Sequence, residues 1–385
     1  MTNRIINLDR AATEPLREEA VQAMLPLLSD PEAGNPSALH AAGRKARALL
    51  EEARAEIAGC ICAEPQEIYF TGGGTEADCW ALLGTAAAQR DRRCAAVSAI
   101  EHHAVLRAAE QLENCGFSVF RIPADQKGVI HPEVVRDALS EAPTAPFLVS
   151  VMLANNEVGT IEPVPAIAEA VHTMGAVMHT DAVQAMGHIP VNVNSLGVNL
   201  LSASAHKFGG PLGIGFLYIR KGTPIRPLMA GGGQERGLRG GTENTVGAVG
   251  MAAALSAAVR EMEAECFRLA SLRDRLLSGI LAGTEGICVN GTMSARLPGN
   301  LHLSVKGVDQ NALLTILDMK GVCASAGSAC EAGTTERSHV LAAMGADRGE
   351  AYLRLTLGRR TTQEEIEEAA AVISATIAEL RKRNG

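Results

Sequence analysis

Seven short apolar runs recur through the first two thirds of this 385-residue chain: Glu67–Thr71, Ala95–Ile100, Phe117–Ile122, Phe147–Leu153, Ala176–Thr180, Leu200–Ala203 and Ile214–Ile219. Amphipathic segments such as Pro132–Ser140 and Pro165–Met174 lie between several of them. Runs that are apolar throughout belong to strands buried on both faces, and strands alternating with helical segments pair mainly in parallel. The pattern predicts an α/β fold, a mostly parallel seven-stranded sheet with helices on both faces. Ligands of such sheets sit beyond the carboxyl ends of the strands. The residues that follow each run are therefore the first candidates for a site. A helix over Ala38–Ala58, opened by Asn35-Pro36-Ser37, is expected to cover this block.

The chain exceeds the ~250–300 residues at which a single core stops growing, so a second body is expected. From Val246 to Leu281 an Ala/Leu/Glu/Arg run reads as one or two linking helices. After it come Gly299–Val305 as a strand, Asn311–Met319 as a helix, Ala351–Leu357 as a strand and Thr361–Arg383 as a closing helix opened by Thr-Thr-Gln-Glu. These define a smaller α+β domain, formed by residues 1–14 with 256–385, beside a large domain over 15–255. Residues 323–337, rich in small side chains, make a long loop within it.

The net charge of −8 is spread along interleaved acidic and basic residues, which argues against nucleic acid as a direct partner. No uncharged apolar stretch reaches the ~18 residues a membrane span needs, and the start lacks a signal peptide's apolar core. A cytoplasmic location is expected. Nine cysteines without framework spacing read as thiols, and Cys60-x-Cys62 lacks the second pair of a zinc site.

Several segments carry chemistry. Lys207, in Ser204-Ala-His-Lys207, stands where a buried strand runs into a glycine turn, surroundings dry enough to make an amine a usable nucleophile; a surface lysine in a loop has the same local sequence. Gly72-Gly-Gly-Thr75 follows a strand and opens a helix, a cradle of backbone amides for a phosphate. Gly72-x-Gly74-x-x-Ala77 also fits a dinucleotide fingerprint, although no acidic residue ends the next strand where a ribose would need one. Asp181 ends another run and is placed to stabilise a protonated heteroaromatic nitrogen, with Gln184 three residues on; it equally suits a helix cap. Phosphate anchor, carboxylate and amine nucleophile together are what pyridoxal phosphate asks of a protein. His102, after a further strand, is suited to stack on such a ring and move protons, and Asn155-Asn156-Glu157 offers amides at the same sheet edge. Cys330, among small residues in the long loop, has the exposure a nucleophilic thiolate requires. Cys323 reads as the end of a strand.

These stretches converge. Asn35-Pro-Ser-x-x-His40, Phe70-Thr-Gly-Gly-Gly-Thr-Glu76, Glu101-His-His-Ala-Val105, Asn155-Asn-Glu-Val-Gly159, His179-Thr-Asp-Ala-Val-Gln184, Ser204-Ala-His-Lys207, Gly231-Gly-Gly-Gln-Glu-Arg-Gly237, Arg239-Gly-Gly-Thr242, Ser325-Ala-Gly-Ser-Ala-Cys330 and Leu353-Arg-Leu-Thr-Leu-Gly358 occur in that order. With them the chain resembles, nearly end to end, the pyridoxal-phosphate cysteine desulfurases of the aminotransferase class V group, in the branch with the longer catalytic loop. The resemblance implies a fold type I transferase in which Lys207 carries the cofactor. It implies that Gly74, Thr75, Ser204 and His206 bind the phosphate, with Thr242 reaching the phosphate of a neighbouring subunit in a homodimer with shared sites. By the same resemblance Asp181 pairs with the ring nitrogen, Gln184 and Asn156 with the phenolic oxygen, and His102 stacks on the ring and shuttles protons. Arg354, with Asn156, would hold the carboxylate of L-cysteine. Cys330 would take the sulfur as a persulfide and pass it to an acceptor protein serving iron–sulfur assembly or tRNA thiolation. No resident metal is implied beyond transient iron–sulfur ligation by Cys330.

Two positions depart from the family pattern: Arg10 and Glu14, where a small or polar residue and a threonine are usual. The chain also stops at Arg-Lys-Arg-Asn-Gly, without the apolar tail some relatives use to dock a scaffold. A lyase or aminotransferase of the same cofactor class and a nicotinamide-dependent oxidoreductase are the alternative readings.

Overall fold

The computed structural model describes residues 5–89, 91–140, 142, 144–327, 338–346 and 350–384. Its strands, in chain order, are β1 (Ile6–Asn7), β2 (Ile68–Thr71), β3 (Cys94–Ser98), β4 (Ser118–Ile122), β5 (Leu148–Ser150), β6 (Val177–Asp181), β7 (Leu200–Ser204), β8 (Gly215–Ile219), β9 (Ile287–Val289), β10 (Asn300–Val305), β11 (Val322–Cys323) and β12 (Ala351–Thr356). The seven apolar runs become one seven-stranded sheet in the order β2-β8-β7-β6-β5-β3-β4. It is mostly parallel, as expected: β8 alone runs against its neighbours β2 and β7. Every residue of β3, β6, β7 and β8 is buried, which is why these strands read as continuous apolar runs. Only β4, at the edge, shows water to most of its residues.

Some boundaries move for physical reasons. The strand expected to reach Leu153 leaves the ladder after Ser150. The chain beyond it still runs beside β6, because the Val151 amide donates to His179 O at 3.1 Å and the Leu153 amide to Asp181 O at 2.8 Å. The covering helix starts at Ala41, not Ala38, and runs to Cys60. Its cap is His40, whose Nδ1 accepts the Gly43 amide at 3.3 Å, while Asn35 spends its oxygen on the Ser37 amide in a preceding turn.

One helix, Thr245–Gly283, joins the two bodies without a break. Met251, Leu255 and Ala258 on its first half lie in the core under the large sheet, and Leu269, Leu272, Leu276 and Ile280 on its second half lie in a separate core. That smaller core is built on an antiparallel sheet in the order β12-β10-β9, covered by helices Gln310–Met319 and Gln363–Asn384. The closing helix starts at Gln363, two residues later than expected, and its box falls on Thr362 and Glu365 rather than within Thr361–Glu364: Thr362 Oγ1 accepts the Glu365 amide at 3.3 Å and Glu365 accepts the Thr362 amide at 3.0 Å.

The amino-terminal segment ties the bodies together. β1 pairs in parallel with β11, and Leu8 O accepts the Thr356 amide of β12 at 2.7 Å. A few residues on, the Glu14 amide donates to His206 O at 2.9 Å, beside the turn that follows β7. Residues 9–14 thus form a strap running from the end of β12 to Lys207. Among the described residues no helix is long and apolar enough to cross a membrane.

Candidate active site

A cavity of about 220 Å³ opens where the carboxyl ends of the parallel strands meet the strap and β12. The glycine turn after β2 makes one end. Gly73 has φ +149°, a conformation closed to other residues without strain, and its turn leads into the helical run that starts at Gly74. A Cβ at Gly74 would lie 2.7 Å from Val183 Cγ2, so any side chain here must displace Val183. Thr75, Ser204 and His206 also line the cavity. The turn is held from behind by Glu76, which accepts the Gly72 amide at 2.6 Å and is clasped by Arg239 at 2.8 and 3.1 Å. The sequence offered Glu76 and Arg239 only as members of two separate motifs; nothing in their spacing showed that they pair.

Lys207 lies in the turn after β7, and its Nζ donates to the carbonyls of Ala11 and Ala12 at 2.7 and 2.9 Å. Gln184 Nε2 shares the Ala11 carbonyl at 3.1 Å. Asp181, the last residue of β6, is 4% exposed and accepts the Val183 amide at 2.8 Å. Burial lifts its carboxyl to about pH 6, against the pull of the Val183 amide and the Lys207 charge. His206, half-buried beside Lys207, is pushed down to about 4 by burial and by that neighbouring charge, so it is neutral at pH 7. His102 forms another wall while capping the helix His103–Asn114: its Nδ1 accepts the Ala104 amide at 3.1 Å. Asn156 and Gln184 also face the cavity.

Arg354 on β12 reaches the cavity from the smaller body. It is 2% exposed; Nη2 is 2.7 Å from Asp9 Oδ1, Nη1 donates to Asn156 O at 3.1 Å, and Nε has no partner among the described residues. A guanidinium this dry has the chemistry to take a carboxylate in a two-pronged bond. Thr242 is exposed and does not line the cavity of this chain. Cys330 lies outside the described residues, as do 328–337 around it. The segments on either side are anchored: Ser325 pairs with Arg354 along the backbone, and Ser338 Oγ donates to Glu157 at 2.6 Å. Cys323 ends β11, where the sequence placed it.

Sequence reasoning missed two groups. Asp78, on the helical run after the glycine turn, lines the cavity with 1% exposure. His179, on β6, is fully buried between Ser150 Oγ at 2.8 Å and Ser202 Oγ at 3.0 Å, and burial drops it to about 3. Their signal was weak because both sit inside segments already explained, as a helix start and as a strand.

The donor set fits pyridoxal phosphate. Amides and hydroxyls gather at Gly74, Thr75 and Ser204, a buried carboxylate stands at Asp181, and the amine of Lys207 faces the same space. This is the fold and the cavity plan of a type I pyridoxal-phosphate enzyme. The aminotransferase class-V family matches residues 6–368, and the chain belongs to that family. Within it, the chain is 44% identical to the cysteine desulfurase IscS of Dictyoglomus turgidum, over 98% of this chain and 96% of that one. It is 42% identical to the cysteine desulfurase IscS of Methanosarcina thermophila, over 98% and 93% of the two chains. Among solved structures, a NifS-like protein superposes with a TM-score of 0.90 at 36% identity, covering 98% of this chain and all of its own.

Proposed function

We infer that this chain is a pyridoxal-phosphate-dependent cysteine desulfurase that converts L-cysteine to L-alanine and takes the sulfur onto Cys330. The observation that carries this reading is the convergence of Lys207, Asp181 and Arg354 on one cavity from three separate elements. Pyridoxal phosphate, when bound, supplies a sink for the electron pair left at Cα when its proton is removed. Gly74, Thr75, Ser204 and His206 would hold its phosphate, Asp181 its ring nitrogen, and Gln184 and Asn156 its phenolic oxygen. His102 would stack on its ring.

The chain's own residues then divide the work. Arg354 turns from Asp9 toward the substrate carboxylate and fixes the orientation of Cα. Lys207, held in the free chain by two strap carbonyls, is released to carry the Cα proton. The Cys330 thiolate attacks the substrate sulfur. The Cβ–S bond breaks, an S–S bond forms, and Cβ takes a proton as alanine leaves, so that cysteine and one enzyme thiol become alanine and one enzyme persulfide. The persulfide passes to an acceptor protein in iron–sulfur cluster assembly or tRNA thiolation. Thr242, exposed on this chain, suits a homodimer in which it completes the neighbour's phosphate site, and the cytoplasm is the expected compartment.

Cys330→Ala tests the assignment. Cofactor absorbance should persist while alanine release from cysteine falls to background; release at the unaltered rate would sink the role given to Cys330.

A further inference from the structure

Asp78 has no part in the scheme above, yet it occupies the cavity wall. One carboxylate oxygen of Asp78, one of Asp181 and a ring nitrogen of His102 all lie within 4.8 Å of one another. Both aspartates are nearly sealed from water, at 1% and 4% exposure. Two carboxylates cannot both be ionised so close together without water or a counter-charge for each.

The surroundings decide which one keeps the charge. Asp181 receives the Val183 amide at 2.8 Å and feels the ammonium of Lys207. Asp78 has less support: the Ser202 hydroxyl is its hydrogen-bond donor, its Oδ1 makes no hydrogen bond among the described residues, and His179 Nε2 is 3.7 Å away. His179 is itself neutral, so it supplies no counter-charge. Burial, then the adjacent Asp181, hold Asp78 well above the usual carboxylate range, against the opposing Ser202 hydroxyl and with a smaller push from Glu101.

We propose that Asp78 and Asp181 act as a proton-sharing pair in which Asp78 stays a neutral carboxylic acid, leaving Asp181 alone of the two to present negative charge at the ring-nitrogen end of the cavity. Asp78 is a positioning residue that acts through Asp181. A second anion there would draw an extra proton into the site and offset the single charge that the ring nitrogen requires. The consequence for the cofactor rests on the reading above, but the place of the proton does not. It is read on the carboxyl group itself.

The test is infrared spectroscopy at pH 8 on the purified chain, with and without pyridoxal phosphate, prepared with carboxyl-¹³C aspartate. A neutral carboxylic acid gives a C=O stretch that a carboxylate lacks, and the label separates aspartates from Glu101 and Glu162, which burial also raises, each to about 8. The expected result is a label-sensitive C=O band that disappears in Asp78→Asn and survives in Asp181→Asn. Should Asp78→Asn fail to fold, survival of the band in Asp181→Asn carries the same assignment, because burial, the larger cause, is untouched there. Absence of a label-sensitive band, or its loss in Asp181→Asn, overturns the proposal. A divalent cation held by Asp78, His102 and Asp181 would ionise both carboxyls and give the first of those outcomes. Failure of the cofactor assignment would show separately, as absence of visible absorbance on adding pyridoxal phosphate.

Discussion

Removing Arg354 gives a prediction whose size follows from its contacts. The side chain lines the cavity at 2% exposure, with Nη2 on Asp9, Nη1 on Asn156 O and a buried Nε that has no partner among the described residues. A substrate carboxylate seated there makes up to two charge-assisted hydrogen bonds at the expense of the Asp9 contact. Hydrogen bonds to charged groups contribute about 1.5–3 kcal/mol each, so replacing one ion contact by a two-pronged one leaves a net gain of that order. At 1.4 kcal/mol per factor of ten, Arg354→Ala should raise KM for L-cysteine by roughly 10- to 100-fold. Asp9 remains 24% exposed, so the carboxylate left behind is solvated and the fold should survive. Arg354→Lys keeps the charge but not the planar fork and should recover only part of the loss. Steady-state kinetics with saturating pyridoxal phosphate measure it, with cofactor absorbance as a check on the site. A KM within about twofold of the parent's in Arg354→Ala, a margin far inside the tenfold that 1.4 kcal/mol represents, would refute the reasoning and place the substrate carboxylate elsewhere.

Other positions give further expectations. Arg54 and Glu235, each nearly sealed, form a two-pronged pair at 2.8 Å that also takes Ile68 O and the Phe70 amide, so Glu235→Ala leaves a buried guanidinium with only the half-exposed Glu51, at 3.2 Å, as counter-charge. About 3–5 kcal/mol of stability should be lost, read by denaturant unfolding. Gly74→Ala places a Cβ 2.7 Å from Val183 Cγ2 and should weaken pyridoxal phosphate binding, with Val183→Ala restoring part of it in a titration of absorbance. Glu14 is raised to about 7, chiefly by burial, against the pull of Arg10, Arg17 and Arg359 around it. Its folded pKa lies above the unfolded one, so the unfolded chain ionises first and stability falls as pH rises from about 4.5 through 7. Glu14→Gln should flatten that decline in unfolding curves between pH 5 and 8; an unchanged slope would count against the buried carboxyl.

The sheet was legible because strands buried on both faces leave an unbroken apolar trace, and the candidate site was legible where its residues end such strands or lie in the turn just beyond, as Asp181 and Lys207 do. Hidden from the sequence were the pairings between distant segments. Arg54 finds Glu235 across 181 positions, and Asp9 finds Arg354 across 345. Neither spacing carries a periodic signal, because tertiary packing alone brings those groups together. Asp78 was hidden differently: four residues into a helical run it reads as a surface aspartate, and only the turn of that helix shows that it faces the cavity. His40 took the cap from Asn35 because a nearer acceptor reached the first free amides. Glu14, visible as a departure from the family pattern, gained a physical meaning only when Gly358 closed over it: a Cβ there would lie 1.8 Å from its carboxylate.

The central claim is that sulfur leaves cysteine through Cys330, and peptide mass spectrometry after incubation with L-cysteine under non-reducing conditions tests it most directly. One added sulfur is expected on the Cys330 peptide, removed by a thiol reductant and missing in Lys207→Ala. Alanine formed while that peptide keeps its unmodified mass, with the sulfur appearing on another cysteine or only as free sulfide, would contradict it.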